Sequence, residues 1–263
     1  MITIKEYKMV ENLEQAYNLY QQRNNIIIGG MMWIKMQNKS INTAIDLSNL
    51  GLNQITETPE SFIIGAMTPL RQIETHKGLR EFFGDGLYES LRHIVGTQFR
   101  NCATIGGSIY MRFGFSDILT SLMALDAEVE LYKKGIISLE EYAKQPKDRD
   151  ILVNIIIKKK PIKMSYMSLR NTETDFPVLS CAVSNNDKGY KAVIGARPLQ
   201  AMVVYDKENI LTGDITEEKA KLFSEYVKKN LDFHTNRRAS GAYRKHIAGV
   251  LTKRCILALN GGN

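Results

Sequence analysis

Cysteine, histidine, proline and tryptophan are all scarce in this chain of 263 residues, at 3, 4, 6 and 1. Each shortage removes a class of function. Cys102, Cys181 and Cys255 are far apart and form no C-x-x-C pair. That spacing supports no disulfide framework, no zinc site and no iron–sulfur cluster held by this chain alone. They read as three reduced, mostly buried thiols. His76, His93, His234 and His246 stand singly, without metal-ligand spacing, and no Ser/His/Asp or Cys/His set can be assembled. No metal ligand and no catalytic side chain is therefore assigned. Long apolar runs are missing too: none approaches the roughly 18 residues of a membrane span. Met1 to Glu6 lacks the apolar segment of a signal peptide. The expected compartment is the cytoplasm.

Acidic residues are fewer than basic ones, 28 against 35, for a net charge of +7. The basic clusters (Lys133-Lys134, Lys158-Lys159-Lys160, Lys228-Lys229, Arg237-Arg238) are short, scattered and free of interleaved aromatics. They read as solvated surface, and next as attraction for anionic cofactors or acidic partner subunits. Nucleic acid is a minor option.

Glycine is present where it counts. The run Ile26-Ile27-Ile28 stops at Gly29-Gly30, and Thr104-Ile105-Gly106-Gly107-Ser108 repeats the device, with Ser116-Asp117 just beyond. A β-branched run ending at two glycines predicts a strand entering a turn without Cβ atoms, able to expose consecutive N–H groups to a phosphate. Two such turns could hold the two phosphates of a dinucleotide, with Asp117 accepting from sugar hydroxyls. The plainer readings stay open beside it: each pair a tight turn, Asp117 a helix cap. The pattern is not G-x-G-x-x-G and supports no Rossmann fold.

The rest of the chain reads as a helix over 11–23, strands at Ala44–Leu47 and Phe62–Ala66, and a helix opened by Thr68-Pro69-Leu70. A broken helical pattern follows over Leu79–Val95, then a helix from Asp117 to Leu125 and strands at Val129–Tyr132 and Ile151–Ile157. From Lys163 the texture changes to Met164–Leu169, Val178–Ser184, a hairpin loop at Asn185–Gly189, Tyr190–Ile194 and Ala201–Val204. Two helices close the chain, Glu217–Asn230 and Ser240–Leu259, the second stopping at Gly261-Gly262. Strands followed by helices argue an α+β fold with one face of an antiparallel sheet covered, and a boundary near residue 162.

The ordered segments resemble one family. They are the loop Ile26 to Trp33, Ile45-Asp46-Leu47-Ser48, Ile64-Gly65-Ala66-Met67-Thr68, Thr104-Ile105-Gly106-Gly107, Ser116-Asp117 and Ala124-Leu125-Asp126-Ala127. This set resembles the FAD-binding (medium) subunits of molybdenum hydroxylases, such as those of xanthine dehydrogenase and carbon monoxide dehydrogenase, over essentially the whole length. The resemblance implies a split FAD-binding region of the vanillyl-alcohol-oxidase type over 1–162, with subdomains of about 1–52 and 53–162, then a small C-terminal α+β domain over 163–263. It implies FAD contacts from Ile26, Ile27, Ile28, Gly29, Gly30, Met31, Met32 and Trp33, and from Thr104, Ile105, Gly106, Gly107 and Ser108. Asp117 would bind the sugar or ribityl part, Ile94 and Phe176 would lie by the isoalloxazine, and Leu152 would be a further contact.

The chain departs from the family at three places. Ser108 replaces an Asn, and Met167 replaces a Lys, leaving Arg170 as the nearest base. Tyr110-Met111-Arg112-Phe113-Gly114-Phe115 replaces a small, Pro-containing stretch, so that Arg112 could neutralise phosphate or the aromatics could fill space the family leaves open. By the same resemblance the chain is an electron-transfer flavoprotein, taking electrons from a [2Fe–2S] small subunit served by a molybdenum–pterin large subunit and passing them through FAD. The alternatives are a free-standing FAD-dependent reductase on a related fold, or a cofactor-less interaction subunit.

Overall fold

The computed structural model describes residues 1–261. The chain builds three sheets in succession. In the first, β1 (Thr3–Met9) leads through helix α1 (Leu13–Gln21) to β2 (Ile26–Ile28) and β3 (Ser40–Asp46), with β1 and β2 both parallel to the central β3. The Asn12 side chain caps α1 by accepting from the Gln15 N–H at 2.8 Å. Every residue of β1 is exposed, so it shows no apolar alternation and the sequence pattern misses it.

The second sheet is antiparallel, in the order β4 (Ile55–Glu57), β5 (Ser61–Gly65), β8 (Leu152–Lys158), β6 (Glu128–Leu131), β7 (Gly135–Ser138). Six short helices intervene after β5: α2 (Leu70–Glu74), α3 (Lys77–Phe83), α4 (Asp85–Arg92), α5 (Thr97–Cys102), α6 (Ile105–Tyr110) and α7 (Asp117–Ala124). Strands β6 (Glu128–Leu131) and β7 (Gly135–Ser138), helix α8 (Leu139–Lys144) and β8 (Leu152–Lys158) complete the unit. Thr68 does not cap α2 as its position suggests, because its hydroxyl donates to the Gln54 carbonyl at 3.2 Å and Pro69 takes the cap position.

The third sheet is a meander of β9 (Lys163–Leu169), β10 (Leu179–Asn186), β11 (Gly189–Gly195) and β12 (Met202–Tyr205), followed by α9 (Glu217–Lys229) and α10 (Gly241–Leu259). The expectation that one face of this sheet is covered is corrected: both are. Cys181, Val183 and Ile194 pack with Phe223 and Ile256 of α9 and α10, while Ala182 and Val193 join the core of the second unit. Helix α7 is the reason. All eight of its residues are buried. Its last carbonyls are met by the third sheet, Ala124 O by Ser184 Oγ and Met123 O by Lys191 Nζ, each at 2.8 Å. Helix α10 is followed by Gly261 at φ +79°, as expected of a terminating glycine, and Gly262 lies outside the described residues. Among the described residues no helix is long and apolar enough to cross a membrane.

Candidate functional site

The first glycine pair lies where the pattern puts it, directly after β2. The N–H groups of Gly29, Gly30, Met31, Met32 and Trp33 meet no acceptor among the described residues. Met31 holds a left-handed φ of +55°, a strained conformation for a residue with a Cβ. The turn that leads from α1 into β2 is pinned by Arg149, which donates to the carbonyls of Tyr20 at 2.5 Å and of Gln22 and Asn25 at 2.9 Å. Nothing in the sequence marks that arginine, because its partners lie more than a hundred positions away.

The second pair differs from its expected form. No strand precedes it; Thr104 caps α6, and Gly106 and Gly107 fall in that helix's first turn. Its N–H groups are already used: Ile105 donates to Thr68 O at 2.9 Å, Gly106 to Ala66 O at 2.8 Å and Gly107 to Thr104 Oγ1 at 3.3 Å. The Ser108 hydroxyl turns back to Thr104 O at 3.2 Å. What the second loop supplies is a floor for the first. A Cβ on Gly30 would run into the Cys102 carbonyl, and one on Gly29 into Thr104 Oγ1, both closer than 3.0 Å. The four glycines are thus not equivalent. A Cβ on Gly106 would meet Ala66 O at 2.6 Å, but one on the exposed Gly107 would meet only Thr104 Oγ1, at 3.3 Å.

Gly107 is therefore the position that separates folding from ligand approach. Gly107→Ala places a strong helix former in a helical turn, and the melting temperature should hold or rise, by up to about 1 kcal/mol in stability. A fall in flavin affinity in the same variant, read by titration, marks a ligand passing over that turn. Unchanged affinity removes Gly107 from the site.

Asp117 is not the cap of α7; Ser116 is, accepting from the Leu119 N–H at 3.3 Å. Asp117 is 5 % exposed, and its Oδ1 accepts from Arg170 Nη2 at 2.6 Å and from the Tyr166 hydroxyl. Burial pushes this carboxyl up from the ordinary Asp range, and Arg170 and Tyr166 oppose the shift. Arg170 also donates to the Asp175 carbonyl at 2.6 Å, so the chain Asp117, Arg170, Asp175 leads to the neighbouring Phe176. Arg112, with φ +51°, turns away from the glycine loops. It donates to Tyr142 O at 2.9 Å and lies 3.8 Å over the Tyr142 ring.

The bulky stretch beside it has another use. Trp33, Phe113, Phe115 and Phe176 form one aromatic cluster, with Trp33 to Phe176 at 5.4 Å and Phe115 to Phe176 at 4.7 Å between ring centroids. The first loop and Phe176, 143 positions apart in sequence, thus meet. Ile94 packs on the main core, and its carbonyl accepts from Arg100 of α5 at 3.0 Å. Leu152 is buried in that core at the head of β8, where the next carbonyl, of Val153, accepts from Ala66 N at 2.8 Å. Neither is shown touching the glycine loops. Of two surface cavities, the larger, about 430 Å³, lies away from the loops against Lys160 and Lys163, and the smaller, about 360 Å³, adjoins Trp33 and Phe176.

Residues 3–159 match the family described as the FAD binding domain in molybdopterin dehydrogenase. The chain belongs to that family. Among curated relatives, the uncharacterized protein YgfM of Escherichia coli K12 is 27% identical over 94% of this chain and 93% of its own. The nicotine 6-hydroxylase medium subunit of Paenarthrobacter nicotinovorans is 23% identical over 95% of both chains. In fold, the chain is similar to carbon monoxide dehydrogenase from Hydrogenophaga pseudoflava, with a TM-score of 0.88 at 19% identity over 98% of this chain and 97% of that one. It is likewise similar to quinoline 2-oxidoreductase from Pseudomonas putida 86, with a TM-score of 0.87 at 18% identity over 97% and 96%. The chain thus has the fold of the medium, FAD-binding subunits. The residues present suit the group the family binds: a run of N–H groups without acceptors stands ready for a diphosphate, on a loop whose close seating requires glycine.

Proposed function

We propose that this chain is the FAD-binding electron-transfer subunit of a molybdenum hydroxylase-type complex. The observation that carries the reading is the row of unpartnered N–H groups from Gly29 to Trp33, seated on Cys102 at the end of α5 and on Thr104 at the head of α6, in a chain of this family. Bound FAD would supply the redox chemistry, accepting electrons from a donor and releasing them to an acceptor. The protein's own work is to bind, orient and shield. Ile26, Ile27 and Ile28 anchor the strand, and the loop from Gly29 to Trp33 donates to the diphosphate. Thr104, Ile105, Gly106, Gly107 and Ser108 form the floor beneath it. Asp117 holds Arg170, and through it the loop bearing Phe176, against the cofactor side. Ile94 and Leu152 supply apolar support. Residues 1–162 then hold the dinucleotide, and residues 163–263 contribute Phe176.

Under this reading the electrons arrive from a [2Fe–2S] small subunit reduced by a molybdenum–pterin large subunit. The chain has no cluster-holding set of its own: Cys181 and Cys255 are buried and Cys102 is alone at the surface. No group of three metal-ligating side chains occurs among the described residues. We place the complex in the cytoplasm.

The test is spectroscopic. The purified chain should take up FAD in preference to FMN, since FMN has only one phosphate to lie along the row of N–H groups and no adenosine to anchor. Equal affinity for the two would count against the diphosphate assignment. Flavin reduction by a hydroxylase substrate should require the two partner subunits, and reduction in the isolated chain would instead favour a free-standing reductase.

A further inference from the structure

The larger cavity, about 430 Å³, lies astride the link from β8 to β9, where the second unit passes into the third. The run Lys158-Lys159-Lys160 enters that link and Lys163 leaves it, a basic cluster the flavin reading does not use. The four lysines are not alike. Lys158 is paired with Glu128 at 2.5 Å and Lys159 with Glu57 at 2.6 Å. Lys160 and Lys163, the two that line the cavity, meet no carboxylate among the described residues. Strand pairing places the other polar groups. Lys163 of β9, Asn185 of β10 and Tyr190 of β11 stand in one cross-strand row, so their side chains leave the same face of the sheet. The Tyr190 hydroxyl donates to Asn260 Oδ1 at 3.1 Å, which sets the end of α10 against that row. Asn186 is engaged by Asp126 at 2.7 Å and by the Lys188 N–H at 2.8 Å, but the Asn185 amide has no partner among the described residues. Phe82 of α3, 42% exposed, brings an apolar wall from the second unit.

We propose that this cavity binds a small hydroxylated phosphate monoester of the sugar-phosphate class, with its phosphate on Lys160 and Lys163 and its hydroxyls toward Asn185 and Asn260. Two ammonium groups suit the two negative charges that a phosphate monoester approaches at neutral pH. Lysine meets phosphate as a point charge, whereas a carboxylate is best matched by the planar fork of arginine, and no arginine lines the cavity. An amide both donates and accepts, as a sugar hydroxyl does. The Phe82 ring offers the C–H side of a sugar an apolar surface. The volume falls within the roughly 300–1,000 Å³ of ligand pockets. The site shares no residue with the glycine loops or the Phe176 cluster and does not rest on the flavin reading.

The probe is glucose 6-phosphate, titrated calorimetrically into the full chain with and without saturating FAD, beside glucose and inorganic phosphate. Saturable one-to-one binding is expected, unchanged by FAD, with glucose and inorganic phosphate each at least tenfold weaker. K160Q and K163Q should each weaken glucose 6-phosphate at least tenfold. Both lysines are exposed, so these variants should keep the fold, which circular dichroism checks. K229Q, which removes an exposed charge on α9 away from the cavity, should bind as the unaltered chain does. N185A should lose most of the preference for the sugar ester over inorganic phosphate. No saturable binding, inorganic phosphate held as tightly as the ester, a loss in K229Q equal to that in K163Q, or an unaffected K160Q and K163Q would overturn the proposal. So would displacement of glucose 6-phosphate by FAD, which would assign its binding to the flavin site. Flavin uptake is read separately by visible absorbance, so its failure with glucose 6-phosphate binding intact would strike the proposed function alone.

Discussion

Gly30→Ala is expected to cost this protein its native loop arrangement, whether or not FAD is present. The added Cβ would run into the Cys102 carbonyl, which is backbone and cannot swing aside as a side chain would. Either the first loop lifts off the second or α5 shifts, and α5 is held in place by a buried ion pair. The expected loss exceeds the roughly 0.5–3 kcal/mol of ordinary single substitutions. The origin is steric and not conformational, because Gly30 has no positive φ. Thermal melting of the apoprotein is the measurement. A melting temperature equal to that of the unaltered chain would show that the two loops do not touch as described. The contrast with Gly107→Ala is the sharper test, since one added methyl should be ruinous at Gly30 and harmless to folding at Gly107.

Glu74→Gln is expected to be the next most damaging change. Glu74, on α2, is buried and accepts from Arg100 of α5, from Nε at 2.7 Å and from Nη2 at 3.1 Å, with Arg71 Nη1 at 2.9 Å as a second cation. Burial alone would raise this carboxyl, but the hydrogen bonds from Arg100 and Arg71 outweigh it and hold the group below the ordinary Glu range. Removing the charge leaves Arg100 buried without its partner, at a cost of about 3–5 kcal/mol. A group with a lowered folded pKa lends stability that is complete above the ordinary carboxylate range and is lost as pH falls through the lowered value. The gap between the unaltered chain and Glu74→Gln should therefore narrow in acid, as followed by denaturant unfolding at several pH values. Replacing both Glu74 and Arg100 with Met should recover much of the loss, since neither charge is then stranded. A double variant as unstable as the sum of the singles would mean that the pair does more than neutralise itself. Arg100 also holds the Ile94 carbonyl, so flavin affinity should fall with the single variants.

Most elements were legible in the sequence because their residues repeat with the period of the structure they form. The alternation and β-branching of Ile155 and Ile157 mark β8, and the third unit follows its predicted strands and hairpin within a residue or two. Strand β1 was not legible, since it buries no side chain, and neither were the three-residue β4 and four-residue β7. The second glycine pair misled the local reading. Thr104-Ile105 looks like the end of a strand, but the Thr104 hydroxyl turns back to the Gly107 N–H and starts a helix.

The sequence by itself pointed to a dinucleotide, because its glycine pairs and the ordered segments around them resemble one FAD-binding family over the whole length. It also showed histidines and cysteines standing singly, without metal-ligand spacing. Only the tertiary structure decided which glycines press on the protein's own backbone, Gly30 and Gly106, and which stands clear of it, Gly107. It alone placed Asp117 on Arg170, Trp33 on Phe176, and Arg149 on the turn that enters β2. These are meetings between distant segments. They depend on how whole sheets and helices pack, and no local period or motif records that packing.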